Sequence, residues 1–419
     1  MRIALLTYRG KPHCGGQGVY VHHLSKALCD RGHHVEVLSG QPYPVLDERV
    51  LLHKLPSLDI FNDAFPGRTP GFWEVQTWAD TAEVCSFMTG TFSEPMAFSL
   101  RAWQYLRTQA GNFDLVHDNQ SLGYGLLGIQ REGLPVLSTI HHPITIDAKL
   151  ELEQTEGLVE RFGKRRWYSF TKMQKRVARR LQRIITVSES SRNDIATELN
   201  VPTHLMHVVP VGVDPELFRP LPHIKRNPNQ IITTASADVP LKGQRYLLEA
   251  LAKLRTERDL RLLVIGKPRT GGDASKVIGH LGLQGAVEFV TGVSDERIVE
   301  LYSSSAVAVV PSLYEGFSLP AIEAMCTATP LVATTGGALA EVTGANGETC
   351  MSVPPGDSEA LAAGLAVVLD NKELAARIGE AGRARVIQRW SWQHTAAQTE
   401  EQYHALLADQ PLGSNRANR

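Results

Sequence analysis

Glu315-Gly316-Phe317-Ser318-Leu319-Pro320-Ala321-Ile322-Glu323-Ala324-Met325 is the stretch on which the reading of the chain turns. It follows Ala306–Val310 and Pro311-Ser312. A continuously apolar run of that length suits a strand buried on both faces, as in a parallel sheet. Two carboxylates eight positions apart cannot share the opening face of a short helix. Glu315 therefore belongs to a loop, and Glu323 to a helix that opens at Ser318 or Leu319. Loop amides of Gly316, Phe317, Ser318 and Leu319 at such a helix start, with the positive end of its dipole, can hold a diphosphate.

Outward from this stretch, short apolar runs alternate with helical patterns along the whole chain. The first-half strand candidates are Ile3–Thr7, Val35–Leu38, Leu115–His117, Val136–Ile140, Ile184–Val187 and Val208–Val211. Those of the second half are Ile231–Ala235, Leu262–Ile265, Val287–Val290, Ala306–Val310 and Leu331–Thr334. The alternation predicts two successive α/β units with doubly wound parallel sheets. Val213–Asn229, rich in Pro and polar residues, reads as the linker between them. Two such halves imply a ligand cleft between them. Residues 41–105 break the pattern, with Phe61, Phe65, Phe72, Trp73, Trp78, Phe87, Phe92 and Trp103 interleaved with Pro and Gly. These rings either anchor a long insertion on the first domain or line an acceptor pocket. Gln410–Arg419 is polar and expected to fray.

At 419 residues there is chain for two to four domains, and 43% apolar with 21% charged residues is ordinary globular composition. Disorder, collagen-like repeats and coiled coil are excluded. Lys+Arg number 43 and Asp+Glu 44, so no global charge recruits nucleic acid or a membrane. Cys14, Cys29, Cys85, Cys326 and Cys350 are scattered and odd in number, which fits a reducing cytoplasm better than a disulfide scaffold or zinc site. No apolar run is long enough to span a bilayer, and the opening residues are expected to form a strand rather than a signal peptide.

Cys14-Gly15-Gly16-Gln17-Gly18 follows the first strand and leads into Val19, Leu24, Ala27 and Leu28 at helical spacing. Its glycines let backbone N–H groups approach an anion. A dinucleotide fingerprint needs a small residue at position 21 and an acid closing strand two. Val21 and Val37-Leu38-Ser39 stand there instead, so an NAD site is rejected while phosphate or sugar contact is kept.

The Glu315–Glu323 string resembles the Glu–seven residues–Glu signature of family 4 retaining glycosyltransferases, nucleotide-sugar enzymes of the GT-B fold. The Gly15-Gly16-Gln17-Gly18 loop resembles their first glycine loop, and Ser138-Thr139-Ile140-His141 their strand ending in an active-site histidine. Val209-Pro210-Val211-Gly212-Val213-Asp214 is similar to their domain crossover, and Pro240-Leu241-Lys242-Gly243 to their phosphate-binding lysine turn. Gly336-Gly337 with Glu341-Val342 resembles a late glycine loop. The resemblance spans about residues 1–405.

It implies two Rossmann-like domains facing a central cleft: residues 1–214 for the acceptor, with 392–419 packing back on them, and 215–391 for the nucleotide-sugar donor. Glu323 is expected to grip the ribose hydroxyls. Glu315 and the amides of Gly316, Phe317, Ser318 and Leu319 would hold the transferred sugar and diphosphate. Lys242 would neutralise the departing diphosphate in place of a metal, which fits the lack of an Asp-x-Asp string. Gly16 would admit the distal phosphate. His141, rather than His142, would hydrogen-bond the donor sugar. The implied activity is retaining, metal-independent transfer of a hexosyl unit from a nucleotide diphosphate sugar, with no cofactor. The acceptor would be a glycan, a lipid-linked or a phosphorylated small molecule. One feature departs from the family. Its arginine five or six positions before the lysine is replaced by Ala237 and Ser236, leaving a single cation or one supplied from elsewhere, with Arg245 as a candidate. A non-catalytic sugar-nucleotide-binding subunit and a GT-B nucleotide-sugar epimerase are the rival readings.

Residues 161–183 carry ten Lys/Arg and no Asp or Glu. Within them Trp167, Phe170, Met173/Gln174, Val177 and Leu181 recur at helical spacing. This stripe either packs on the first sheet, leaving the cations solvated, or the cations face an anionic membrane or acidic acceptor, with Trp167 and Phe170 in the interface. The second reading would place a cytoplasmic protein at the membrane periphery.

Overall fold

A computed structural model describes residues 1–10, 16–62, 67–234, 239–268 and 271–409. Cys14, Gly15, Phe65, Ala235, Ser236, Ala237 and the 410–419 tail, all singled out in the sequence, lie outside the described residues. The chain divides into two compact units. The first comprises Met1–Val187, Arg192–Val209 and Thr395–Arg419, the second Ser188–Ser191 and Pro210–His394.

The first unit is a seven-stranded parallel sheet of β1 (Arg2–Thr7), β2 (His34–Ser39), β3 (Leu51–Lys54), β4 (Leu115–Asn119), β5 (Val136–Ile140), β6 (Arg183–Thr186) and β7 (Met206–Val208). Their order is β3-β2-β1-β4-β5-β6-β7. All five residues of β4 and all five of β5 are buried, which is why these strands read as unbroken rather than alternating. Leu6, Leu38, Val116, Ile140 and Ile184 of neighbouring strands form one core with Phe98, Leu126 and Val177 from the covering helices.

The second unit repeats the plan with six parallel strands: β8 (Asn227–Thr234), β9 (Arg261–Ile265), β10 (Val287–Val290), β11 (Ser305–Val310), β12 (Leu331–Thr334) and β13 (Met351–Val353). The order is β10-β9-β8-β11-β12-β13. Ile231, Val264, Val309 and Val332 pack under Leu251, Leu361, Leu365 and Ile378. In both sheets the order reverses beside the first strand, the arrangement that puts ligands at the carboxyl ends of the strands.

Three sequence expectations change. β7 ends at Val208 instead of running to Val211, because Pro210 has no N–H to donate to a ladder. Residues 41–105 contain an unforeseen strand, β3, and the helices Trp78–Met88 and Glu94–Leu106. β13 is only three residues long and gave no apolar run to detect.

The aromatic insertion is largely anchored. Phe61 meets Phe87, Phe92 and Trp167 at centroid distances of 5.7, 5.1 and 5.2 Å, and Trp78 meets Trp103 at 5.8 Å. Phe72 and Trp73 stay exposed. The basic segment 161–183 divides at Trp167. Beyond it Met173, Gln174, Val177 and Leu181 are buried, and Phe170 packs on Phe92 at 5.5 Å. Burying each such aliphatic side chain contributes roughly 1.5–3 kcal/mol. A helix laid on a bilayer would forfeit it, so the structure favours the packed stripe. The apolar residues left exposed here, Leu158, Val159, Phe162 and, at 39%, Trp167, lie on the preceding helix Leu158–Trp167. No helix among the described residues is long and apolar enough to cross a membrane.

Candidate active site

In the second unit Glu315 lies in the loop after β11 and Glu323 on the helix Leu319–Cys326. Lys242 closes a 3-10 turn, Pro240–Lys242, and Gly243 follows at φ 62°. A Cβ at Gly243 would stand 2.0 Å from the Pro311 carbonyl oxygen, so the turn seats directly on the loop only because this residue is glycine. The Leu313 amide donates to the Leu241 carbonyl at 2.8 Å and ties the two together. Lys242 Nζ then reaches Glu315 Oε1 at 2.8 Å, and the Ser312 hydroxyl donates to the same oxygen at 2.7 Å.

The late glycine loop holds Glu315 from the other side. The Ala338 amide donates to the Glu315 carbonyl at 2.8 Å. Gly337 has φ 62°, and its Cβ would fall 2.4 Å from that same oxygen. Gly337→Ala should therefore destabilise the protein by roughly 1–3 kcal/mol, the scale of such backbone strain, and displace Glu315. Thermal denaturation reads the first effect and transfer rate the second. Unchanged values of both would mean that the loop does not position Glu315.

Gly316 is pinned through its carbonyl, which accepts from Ser188 Oγ at 2.7 Å and Ser191 Oγ at 3.0 Å. Ser318 caps the helix at φ 97°, a left-handed conformation rare outside glycine, and its buried hydroxyl has no hydrogen-bond partner among the described residues. Strain and an unsatisfied polar atom together at a helix N-terminus behind a strand are the features of a ligand-binding turn. Phe317 is expected to contribute only its backbone amide. Its side chain is buried edge-on against Trp390, 5.6 Å between centroids, so only its backbone retains a role toward a ligand. Leu319 is half-buried at the first helical position.

Glu323 has different surroundings. Burial pushes its carboxyl up to about 8, and the nearby Asp295 carboxylate adds to the rise. The alternative cation Arg245 is occupied, its Nε 2.9 Å from Glu249 Oε1 on the exposed side of the helix Gln244–Leu254.

In the first unit His141 is the residue immediately after β5. Its Nε2 lies 2.8 Å from Asn119 Oδ1, and its backbone amide donates to Gln120 Oε1 at 2.6 Å. The Tyr20 ring meets it edge-on at 4.9 Å. Burial lowers its pKa to about 3, with His142 adding a smaller repulsion, so the ring is neutral throughout the working range. His142 instead sits 3.1 Å from both Asp147 carboxylate oxygens. Gly16 is part of a helix, Gly16–Asp30, rather than of the loop before it, and a Cβ there would meet no atom of the described residues within 4 Å.

Sequence reasoning missed Ser312, Asn119, Gln120, Tyr20 and Asp295. A signal for two of them was present. His117-Asp118-Asn119-Gln120-Ser121 is a polar run ending a strand, and every member is buried. Buried polar groups must find partners, so such a run at the carboxyl end of a central strand marks a site.

Two parallel-sheet α/β units with ligand-binding turns at the ends of central strands define the GT-B class of glycosyltransferases. Solved structures agree with that fold. The chain is similar to sucrose-phosphate synthase from Thermosynechococcus elongatus, with TM-score 0.73, 23% identity and coverage of 98% of this chain and 100% of that one. It is also similar to Anabaena HepE in complex with UDP-glucose, with TM-score 0.70, 18% identity and 97% and 100% coverage. The family models "Glycosyltransferase Family 4" and "Glycosyl transferases group 1" match residues 14–217 and 220–385. An MMP alpha-(1->4)-mannosyltransferase of Mycolicibacterium hassiacum is 49% identical over 409 residues, covering 97% of this chain and 99% of that protein. A D-inositol 3-phosphate glycosyltransferase of Catenulispora acidiphila is 28% identical, with 97% and 96% coverage. The chain belongs to glycosyltransferase family 4, and it is a hexosyltransferase.

Proposed function

We propose that this enzyme transfers a mannosyl unit from a nucleotide diphosphate sugar to a glycan hydroxyl, with retention of anomeric configuration and without a divalent metal. The observation that carries the reading is the Lys242–Glu315–Ser312 cluster beside the strained start of the helix Leu319–Cys326, in a chain 49% identical to a mannosyltransferase. In this reading Lys242 neutralises the leaving diphosphate and the amides from Gly316 to Leu319 hold it. Glu315 holds hydroxyls of the transferred sugar, Glu323 accepts from the ribose diol, and His141 hydrogen-bonds the sugar. Gly16 leaves room for the distal phosphate.

The alpha-(1->4) linkage in the relative's name supports retention, since an α product from an α-linked donor preserves the configuration. The acceptor attacks on the face the diphosphate leaves, and the departing phosphate takes the acceptor proton. Glu315 is accordingly a binding group and not a covalent nucleophile. Phe72 and Trp73, exposed and edge-to-face at 5.1 Å, support a glycan acceptor, because ring faces suit the apolar faces of sugars.

Incubation with GDP-, UDP- and ADP-linked mannose and a mannose oligosaccharide tests the reading, with nucleotide release and NMR of the new anomeric proton as readouts. The expected result is one α linkage, formed equally well in excess EDTA. A β linkage would overturn retention. Loss of transfer in EDTA, restored by magnesium or manganese, would overturn the role given to Lys242.

A further inference from the structure

We infer that the helix Leu158–Trp167 is the contact surface for a second copy of this chain, paired antiparallel with its own counterpart about a two-fold axis. Leu158, Val159 and Phe162 are 87%, 88% and 61% exposed, and Gly163 beside them is exposed as well. At 3.6 residues per turn these four fall on one face of the helix. Lys164 and Trp167 tie the other side to the rest of the unit. Lys164 Nζ lies 3.4 Å from Glu151 Oε1, and the Trp167 ring packs edge-on against Phe61 at 5.2 Å. The apolar face is thus held outward by the helix's own anchors. Met88, also exposed, extends it, because the next residue, Thr89, accepts from Arg166 Nε through its carbonyl at 2.5 Å.

The charges along this face select the partner. Glu156 stands exposed just before the helix, and Arg165 stands exposed in its last turn. The patch therefore has an acidic end and a basic end, with the apolar residues between them. Glu151, Glu153, Glu156 and Glu160 balance Arg161, Lys164, Arg165 and Arg166, which leaves no net attraction to anionic lipid. A surface whose two ends differ in sign is complementary to itself turned by half a revolution, the condition for an isologous interface. Centred between Glu160 and Arg161, the antiparallel register sets Leu158 over Gly163, Val159 against Phe162 and Glu156 opposite Arg165. The opposed helix dipoles add to the attraction. Gly163 acquires a reason in this pairing. Glycine inside a helix weakens it, and a Cβ there would meet no atom of the described residues within 4 Å. A facing Leu158 fills that space.

Sedimentation equilibrium of the full chain from about 1 to 100 μM, the range suited to a small interface, tests the pairing. The expected result is a reversible rise toward twice the chain mass. A single chain mass throughout overturns the proposal. Phe162→Glu should raise the dissociation constant about 100-fold, the scale of losing an interface anchor, and Val159→Lys should act in the same direction. Wild-type association in both variants would place the interface elsewhere and overturn the assignment. Exchange of charge is the sharper test. Glu156→Arg and Arg165→Glu should each weaken association about tenfold, because each sets like charges opposite one another. The variant carrying both substitutions should return to wild-type affinity. If it associates no better than either single variant, the antiparallel register is wrong. Vesicles of phosphatidylglycerol decide against the rival partner. A protein that stays monomeric alone, sediments with these vesicles and loses that binding in Phe162→Glu would assign the face to lipid and overturn the proposal.

Discussion

Lys242→Ala should lower kcat about 10²–10³-fold with a much smaller change in KM, the scale of removing one group aimed at developing transition-state charge. The Lys242 ammonium is only 29% exposed and already lies 2.8 Å from Glu315 Oε1, so its position is set before any ligand arrives. Negative charge accumulates on the diphosphate as the bond to the sugar breaks, and a fixed cation stabilises that state more than the ground state. The substitution also leaves the Glu315 carboxylate with Ser312 as its donor, since Ser312 Oγ still reaches the same oxygen. Lys242→Arg should recover part of the rate because it restores charge without the same reach. Nucleotide release under saturating donor measures both variants. A wild-type rate for Lys242→Ala would remove Lys242 from the mechanism.

Nucleotide binding should tighten as pH rises toward 8, and Glu323 is the cause. Its carboxyl is pushed up to about 8 by burial first and by Asp295 second. A ribose diol donates two hydrogen bonds and favours the ionised form, so donor binding should release a proton. Calorimetric titration of UDP, GDP and ADP in buffers of different ionisation enthalpy measures that proton. Glu323→Ala should weaken binding of the preferred nucleotide about 10- to 100-fold at pH 8, within the range for hydrogen bonds to a charged group, and abolish the proton release. Equal affinity in both proteins would place the ribose elsewhere. The same shift has a stability consequence of definite sign. The folded-state pKa lies above the unfolded value of about 4.3, so the stability contributed by the neutral carboxyl is complete below pH ~4.3. It is lost as pH rises through about 8. Glu323→Gln should therefore show a flatter Tm against pH between 5 and 8 than wild type.

The two-unit parallel-sheet plan was legible because strands buried on both faces must be apolar throughout. β1, β2, β4, β5 and β6, with β8 to β12, all stand close to where their apolar runs lie. The separation of Glu315 from Glu323 was equally legible, since helix geometry forbids one short helix start from presenting both. β3 escaped because an edge strand of four residues, exposed at both ends, has no such composition to show. The basic segment was legible as a helical stripe. Which of its rings would be covered was not, because Phe61 and Phe92, the partners of Trp167, come from an insertion about 75 to 105 positions earlier.

Local rules thus determined the strands, the helix starts and the residue types gathered at their ends, because hydrogen-bond geometry and burial act over a few neighbours. Only the tertiary structure decided the partners. Lys242 meets Glu315 across 73 positions, and Asn119 meets His141 across 22. The Phe317 ring packs edge-on against Trp390, 73 positions on. The direction of a side chain and the proton it carries depend on atoms that chain folding brings within about 3 Å, and those contacts are set by the order of strands in the sheet, which sequence spacing does not specify.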